Sequence, residues 1–285
     1  MAGPVWNVKL YGGRGSTPVC EPGFQRYGGN TTCFYVDLLI NDRSKMILVF
    51  DAGTGIRMLA NDIENGKIPQ TDFILLVLTH LHWDHIQGFP FFSPAYNPLQ
   101  KIGIFYPQKK LQVDSIKELF KIQMQEEFFP VQLESMGADC VFIDRKEAEV
   151  LLSANNLVKF SYREHNHPGG ALSYRLESRD RSIVFCTDLE HGTGIDMEVV
   201  DFCRDADLLI HDAQYTDEEL ARHRGWGHSS FNQAIETAEL ANVKKLVLTH
   251  HDPSHNDEFL AGMERECQKR FPNCEMAKEG MELNI

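Results

Sequence analysis

Residues 73–85 read FILLVLTHLHWDH, which joins a strand signal to a cluster of metal-binding side chains. Residues 73–78 are a continuous apolar run of six, typical of a strand that is buried on both faces. Three imidazoles and one carboxylate follow within six positions, at His80, His82, Asp84 and His85. Imidazole and carboxylate are ligands that suit zinc and neighbouring transition metals. The stretch therefore predicts a metal site at the carboxyl end of a buried strand.

Further ligand candidates follow other apolar strands along the chain. His167 lies between two predicted strands, Asp188 ends the run IVFCTD at 183–188, and His250 ends LVLTH at 246–250. Open α/β sheets place their sites at the carboxyl ends of the strands. We therefore expect these three side chains to join the cluster at residues 80–85.

Apolar strands alternate with amphipathic helices over the whole chain. Strands are predicted at 5–11, 34–40, 46–50, 73–78, 102–106, 157–162, 171–176, 182–186, 207–210 and 245–248, and helices at 54–65, 111–128 and 229–241. This pattern predicts an α/β fold with two sheets flanked by helices, in a single domain of residues 1–285. The aromatic segment at about 89–130 is interpreted as a lid or an oligomer contact, and a layer of the hydrophobic core is the alternative.

The charge and composition of the chain disfavour nucleic-acid and membrane partners. The net charge is −13 over 285 residues, and without a local basic cluster this disfavours a broad nucleic-acid-binding face. No apolar run approaches the roughly 18 residues that a membrane helix needs, and the N-terminal residues lack the features of a signal peptide. The seven cysteines are never spaced CxxC and are interpreted as reduced thiols. We expect a cytoplasmic protein with no membrane partner.

The order of the candidate ligands resembles that of the metallo-β-lactamase superfamily. The motif HxHxDH at 80–85 is followed by single His, Asp and His residues in the expected order. The resemblance covers nearly the whole chain and implies a four-layer αβ/βα sandwich, in which two mixed β-sheets are flanked by helices. It also implies a metallohydrolase with two divalent metal ions per chain. Zinc is the preferred metal, and manganese and iron are alternatives.

The resemblance implies which residues hold each ion. It assigns His80, His82 and His167 to one ion, and Asp84, His85 and His250 to the other, with Asp188 bridging both.

Two supporting positions have alternative interpretations. Asp51 matches a loop near the metal centre of the superfamily, where it would orient a ligand, but it could equally be a turn residue. His165 competes with His167 as a ligand. We prefer His167 because Tyr174 follows it by seven positions, as in the branch that includes ribonuclease Z. His191 and His223 are interpreted as surface residues.

Two more motifs resemble the phosphodiesterase branch of that superfamily, which includes ribonuclease Z. HDAQY at 211–215 resembles its His-Glu-Ala-Thr segment with Asp in place of Glu, and GHSS at 227–230 resembles its His-Ser-Thr motif. The resemblance implies that Asp212 orients His228, and that His228 assists the departing oxygen. Asp84 would steer the water that attacks from between the two ions. The alternative is a buried aspartate beside a helix-capping turn.

The sequence departs from ribonuclease Z where that enzyme carries a long arm that grips tRNA. Here His167 and Asp188 are only 21 positions apart (188 − 167), which leaves no room for an arm. Together with the negative charge, this predicts a small-molecule phosphodiester substrate, a cyclic nucleotide, and no long nucleic acid. A homodimer is expected from the apolar residues at 89–92 and 128–129. The alternatives are a carbon-ester, thioester or lactone hydrolase, an RNA-processing endonuclease, and a non-catalytic metal-binding sensor.

Overall fold

The computed structural model describes residues 6–41, 44–71, 73–107, 114–144, 147–148, 158–178 and 180–285. The predicted elements that reach Val5, residues 111–113 and Leu157 therefore extend outside the described residues. The strands are β1 (Asn7–Gly12), β2 (Cys33–Asn41), β3 (Ser44–Phe50), β4 (Phe73–Val77), β5 (Lys101–Phe105), β6 (Asp139–Ile143), β7 (Lys159–His165), β8 (Ala171–Glu177), β9 (Ser182–Cys186), β10 (Leu208–Asp212), β11 (Leu246–Thr249), β12 (Cys274–Met276) and β13 (Glu282–Asn284).

These strands form two mixed sheets. The first has seven strands in the order β13-β1-β2-β3-β4-β5-β6, and the second has six in the order β12-β11-β10-β9-β8-β7. In the first sheet β3 to β6 run parallel, and in the second β9 to β12 run parallel. The remaining pairs are antiparallel.

Helices cover the outer faces of both sheets. The chain includes the helices α1 (Ile56–Glu64), α2 (Trp83–Ile86), α3 (Ile116–Gln123), α4 (Met197–Cys203), α5 (Asp217–Arg222), α6 (Phe231–Leu240) and α7 (Asp257–Arg270). The apolar faces of α4, α6 and α7 pack on the second sheet, whereas α1 and α3 pack with the first. The predicted αβ/βα sandwich is confirmed.

The strand β9 shows why a central strand has a continuous apolar run, here residues 183–186. Side chains along a strand alternate between its two faces. Ile183 and Phe185 belong to the core between the sheets, where Phe185 stacks on Phe50 with 4.0 Å between ring centroids. Val184 and Cys186 belong to the core under the helices. Because both faces are covered, a hydrophobic residue is favoured at every position.

The segment at 89–130 divides between core and surface, and residues 108–113 lie outside the described part. Phe89 is buried and packs edge-on against Phe120, with 4.7 Å between ring centroids. Phe91 and Phe128 are 58% and 66% exposed. Part of the segment therefore belongs to the hydrophobic core, and its role as a lid or an oligomer contact stays a prediction. The assignment of residues 1–285 to a single domain also stays a prediction. The described residues include no helix of the length and apolarity that a bilayer crossing requires.

Candidate metal centre

The candidate ligands, and Asp51 beside them, lie at the carboxyl ends of strands from both sheets. Asp51 directly follows β3, and residues 80–85 follow β4 in the first sheet. In the second sheet, His167 follows β7, Asp188 follows β9 and His250 follows β11. Residues that are far apart in sequence therefore meet because the parallel strands of both sheets end at one edge.

One cluster consists of three imidazoles. Donor atoms of His80, His82 and His167 all lie within 4.8 Å of one another, and His167 Nε2 is 3.1 Å from His82 Nδ1. Burial lowers the pKa of each of the three, since it disfavours the charged imidazole. The rings are therefore neutral near pH 7, the state in which imidazole binds a metal.

A second cluster holds two carboxylates and two imidazoles. Donor atoms of Asp84, His85, Asp188 and His250 lie within 4.8 Å of one another, and all four residues are buried. His250 Nε2 is 3.0 Å from Asp188 Oδ1 and 3.2 Å from Asp84 Oδ2. Asp188 also reaches toward the first cluster, since its Oδ1 is 3.7 Å from His80 Nε2. Its position between the clusters is what a bridging ligand needs.

The charges of the second cluster are strongly coupled. Burial opposes the ionisation of Asp84, but the imidazoles of His85 and His250 outweigh it and hold the pKa of that carboxyl well below its usual range. Burial also acts to lower the pKa of His250, but Asp188 and Asp84 outweigh it and raise that pKa to about 10. A cation that binds here displaces imidazole protons and takes over their role of balancing the carboxylates.

Unpaired buried atoms point to a cation. His80 Nε2, His85 Nε2 and Asp188 Oδ2 are buried and lack a hydrogen-bond partner of acceptable geometry, although the last two lie 3.3 Å apart. Buried polar atoms without partners are rare in folded proteins and carry a desolvation penalty. Nitrogen and carboxylate donors in this arrangement suit a divalent transition metal, so the residues present fit two such ions.

Hydrogen bonds at Nδ1 direct Nε2 of three ligand histidines toward the metal clusters. The Nδ1 atoms of His85, His167 and His250 lie 2.7 Å from Asp51 Oδ2, 2.9 Å from the Gly227 carbonyl oxygen and 2.9 Å from Gln214 Oε1. Each partner is an acceptor, so Nδ1 carries a proton and Nε2 is the ring nitrogen that can bind a cation.

Asp51 is itself held in place by Thr79. The Thr79 backbone N–H donates to Asp51 Oδ1 at 2.7 Å and the hydroxyl donates to Oδ2 at 2.8 Å. The orienting interpretation of Asp51 is consistent with these contacts, and the turn interpretation also holds, since Asp51 has φ 61°. Asp188 and His250 share this left-handed backbone, with φ 60° and 63°. Non-glycine residues in that region are uncommon and cluster at functional sites.

Asp212 and His228 face the second cluster as a pair. His228 Nδ1 donates to Asp212 Oδ2 at 2.9 Å, and the Ser229 N–H donates to Asp212 Oδ1 at 2.8 Å. The His228 ring stacks on His250 with 4.7 Å between centroids. Helix α6 begins directly after this turn, with Ser230 as its N-cap in a capping box with Gln233.

A cleft of about 460 Å³ opens onto these groups. It is lined by Ser16, Leu81, His82, Trp83, Asp84, Asp188, His228 and His250. His228 Nδ1 is engaged by Asp212, so Nε2 is the ring nitrogen left for a molecule in the cleft.

The family follows from a comparison over most of this fold. Residues 47–251 match the family model described as Beta-lactamase superfamily domain. The chain belongs to the metallo-β-lactamase superfamily. The match spans more than half of the chain and includes every candidate ligand, so the predictions of the family and of a metal-dependent hydrolase are confirmed.

Individual relatives agree with this membership. The chain is 24% identical to a ribonuclease Z of Enterococcus faecalis, over 86% of this chain and 89% of that protein. The metallo-β-lactamase fold protein YhfI of Bacillus subtilis superposes with a TM-score of 0.69 at 16% identity, and both chains are covered to 99%. A diphosphatase from the PhnP family superposes with a TM-score of 0.67 at 18% identity, over 99% of this chain and 98% of that one. The phosphodiesterase branch predicted from the sequence is consistent with these neighbours.

Two other histidines of this metallo-β-lactamase member, His165 and His191, contact groups other than the metal-binding side chains. His165 uses both ring nitrogens, with Nδ1 2.8 Å from Ser173 Oγ and Nε2 3.0 Å from the Asp188 carbonyl oxygen. His167 therefore stays the ligand candidate. The prediction that His191 lies on the surface is wrong. It is only 6% exposed, because its ring packs against His211 and its Nε2 lies 3.2 Å from Thr237 Oγ1 of α6.

Sequence reasoning missed three residues that support the site. The Ser16 N–H donates to Asp84 Oδ2 at 2.8 Å, Gln214 accepts from His250, and Glu190 binds the backbone before His228. For Ser16 a signal existed in the glycine-rich stretch at 12–15. A Cβ on Gly15 would lie 2.2 Å from His250 Nδ1, so only glycine lets this loop pass so close to the ligand.

Proposed function

We propose that this chain is a metal-dependent phosphodiesterase whose substrate is a small phosphodiester, a cyclic nucleotide. The observation that carries the proposal is the Asp212–His228 pair, in which Asp212 holds His228 and His228 lines the same cleft as Asp84, Asp188 and His250. Hydrolysis of a phosphodiester needs a proton donor beside the metals, because the alkoxide that it releases is a poor leaving group without a proton.

The residues divide the chemistry between them. Two divalent ions, with zinc preferred, would be held by the residues of the two clusters. These are His80, His82 and His167 for one ion and Asp84, His85 and His250 for the other, with Asp188 shared. When bound, such ions supply a water of lowered pKa and offset the charge of the phosphate oxygens. Asp84 lines the cleft and can accept a proton on the attacking side. His228 faces the leaving oxygen and donates a proton to it, while Asp212 fixes the ring through Nδ1.

Three observations favour a small substrate. The β8–β9 hairpin fills the interval between His167 and Asp188. The net charge of −13 repels long polyanions. A cleft of about 460 Å³ is of the size in which proteins bind single small molecules.

Trp83 favours a substrate with a nucleobase. Its side chain lines the cleft and is nevertheless 63% exposed. An exposed indole beside a phosphate-reactive centre offers a flat surface on which a base can stack.

Replacement of Trp83 by alanine is expected to raise KM for a cyclic nucleotide. Base–aromatic stacking contributes about 1–3 kcal/mol, so the increase should be roughly 5- to 150-fold with little change in kcat. Steady-state kinetics at saturating metal measure both constants. Trp83→Phe keeps a stacking ring and is the matched control, so a KM increase of equal size in both variants would refute the stacking role.

An RNA-processing endonuclease is the second candidate. The 24% identity to ribonuclease Z over most of both chains favours it, and the catalytic chemistry is the same. The two candidates differ in the size of the substrate. They are therefore separated by assay and not by the geometry of the metal ligands.

A hydrolysis screen with added zinc, manganese or iron tests the proposal. The panel contains 3′,5′- and 2′,3′-cyclic mononucleotides, cyclic dinucleotides, a tRNA precursor, a lactone and a thioester. We expect turnover of a cyclic nucleotide that a chelator abolishes and one of the metals restores. Turnover of the tRNA precursor alone would establish the second candidate. Turnover of the lactone or thioester alone would refute phosphodiester hydrolysis, and metal binding without any turnover would favour the sensor alternative.

A further inference from the structure

Glu190 is a buried carboxylate that the proposed chemistry does not use. It lies two residues after Asp188 and is only 9% exposed. Its oxygens accept hydrogen bonds from the backbone N–H of Gly225 at 2.8 and 2.9 Å, and from that of Gly227 at 2.8 Å. Within the part of the chain that the structure describes, no lysine or arginine forms an ion pair with Glu190. Its carboxylate therefore binds the backbone N–H groups of one loop, at Gly225 and Gly227.

That loop, residues 225–228, has a conformation that only glycine supports well. Gly225 and Gly227 have φ 86° and 95°, a region that L side chains rarely adopt. A Cβ on Gly227 would lie 2.1 Å from His167 Nδ1. Glycine loses more conformational freedom on folding than any other residue. If nothing anchored this loop, its two glycines would therefore leave it mobile.

The Gly227 backbone, which Glu190 binds through the N–H group, contacts one candidate ligand and directly precedes His228. The Gly227 carbonyl oxygen accepts from His167 Nδ1 at 2.9 Å, and the next residue is His228. On the other side, the Glu190 backbone exchanges two hydrogen bonds of 3.0 Å with Asn166, which precedes His167. Glu190 thus joins the segments after β7 and β9 to the loop at 225–228. Hydrogen bonds to a carboxylate are shorter and stronger than neutral ones, which suits an anchor.

We propose that Glu190 is a positioning residue that fixes the loop at 225–228 and thereby sets the His228 ring for proton donation to the leaving group. This inference rests on the proposed function. It makes Glu190 act on catalysis through His228, with no contact to the substrate.

The test compares two phosphodiesters that differ in the leaving group. A cyclic nucleotide releases an alkoxide and needs the proton from His228, whereas bis(p-nitrophenyl) phosphate releases a phenolate that leaves without one. Glu190→Gln keeps the size of the side chain but presents an N–H₂ group to one of the two amides. At saturating metal we expect kcat to fall about 10- to 100-fold on the cyclic nucleotide and less than about 3-fold on the nitrophenyl ester. Glu190→Asp keeps the charge but not the reach and should show a smaller loss with the same split.

A double variant tests whether Glu190 acts through His228. Glu190→Gln combined with His228→Ala should be no slower than His228→Ala alone, since both remove the same step.

Glu264→Gln is the matched control. Glu264 is 8% exposed and also accepts a backbone N–H, from Met276 at 2.9 Å, but it lies in α7. Metal content and thermal melting are measured for every variant.

The outcomes separate the two proposals. Equal losses of Glu190→Gln on both substrates, or additive losses in the double variant, would overturn the role of Glu190 and leave the proposed function intact. If His228→Ala itself shows no dependence on the leaving group, the proposed role of His228 fails and the role of Glu190 fails with it.

Discussion

Asp188→Asn should lose both metal ions and all measurable turnover. Asp188 lies between the two clusters, with Oδ1 3.0 Å from His250 Nε2 and 3.7 Å from His80 Nε2. Asparagine keeps the shape, but it removes the negative charge and places an N–H₂ donor among ligands that must bind a cation. Structural and catalytic metal sites depend on the charge and identity of each ligand. Metal analysis by mass spectrometry after desalting, together with the hydrolysis assay, measures both effects.

Asp62→Asn is the control for that variant. Asp62 is also largely buried, at 8% exposure, but it lies in α1 and pairs with Lys9 and Lys67. We expect it to keep two ions per chain and full turnover. An Asp188→Asn protein that retains two ions and is active would contradict the bridging assignment.

His228→Ala should keep both ions and slow the reaction by roughly 10²–10⁴-fold, the usual contribution of one acid–base group. Asp212 accepts the Nδ1 proton of His228, which leaves Nε2 for the departing oxygen. The loss should therefore be large for an alkoxide leaving group and small for p-nitrophenolate. Measurement of kcat on both substrates, with metal content determined in parallel, separates loss of the proton donor from loss of the metal.

A neighbouring histidine serves as the control. His223 contacts Tyr215 and Trp226 and forms no hydrogen bond with Asp212 among the described residues. His223→Ala should change kcat little on either substrate. Full activity of a metal-loaded His228→Ala protein toward the cyclic nucleotide would remove His228 from the mechanism.

The metal centre was largely predictable because its strongest signal is local in sequence. Three histidines and an aspartate at 80–85 follow a run of apolar residues that becomes β4. The strand pattern then places Asp188 and His250 at the same edge, since parallel strands end together. The choice between His165 and His167 needed the fold, because only the structure shows that both nitrogens of His165 are already engaged. The ligand roles themselves stay predictions until ions are bound.

The role of Glu190 could not be predicted, because it binds the backbone N–H groups of a distant loop and such contacts leave no periodic or compositional pattern. For Ser16 the glycine-rich stretch at 12–15 is a signal, but it does not show which distant side chain the loop contacts. His191 has no special context in the sequence, and the surface prediction rests on that alone. Helix α6 covers it through Thr237, a contact between residues 46 positions apart.

The left-handed backbone at Asp51, Asp188 and His250 bears on how this chain can evolve. Glycine would relieve roughly 1–2 kcal/mol of steric conflict at each of these positions. A change to glycine at Asp188 or His250 would therefore relax the backbone and remove a candidate metal ligand, and at Asp51 it would remove the side chain that holds His85. At these three positions, substitutions that stabilise the fold conflict with the metal centre.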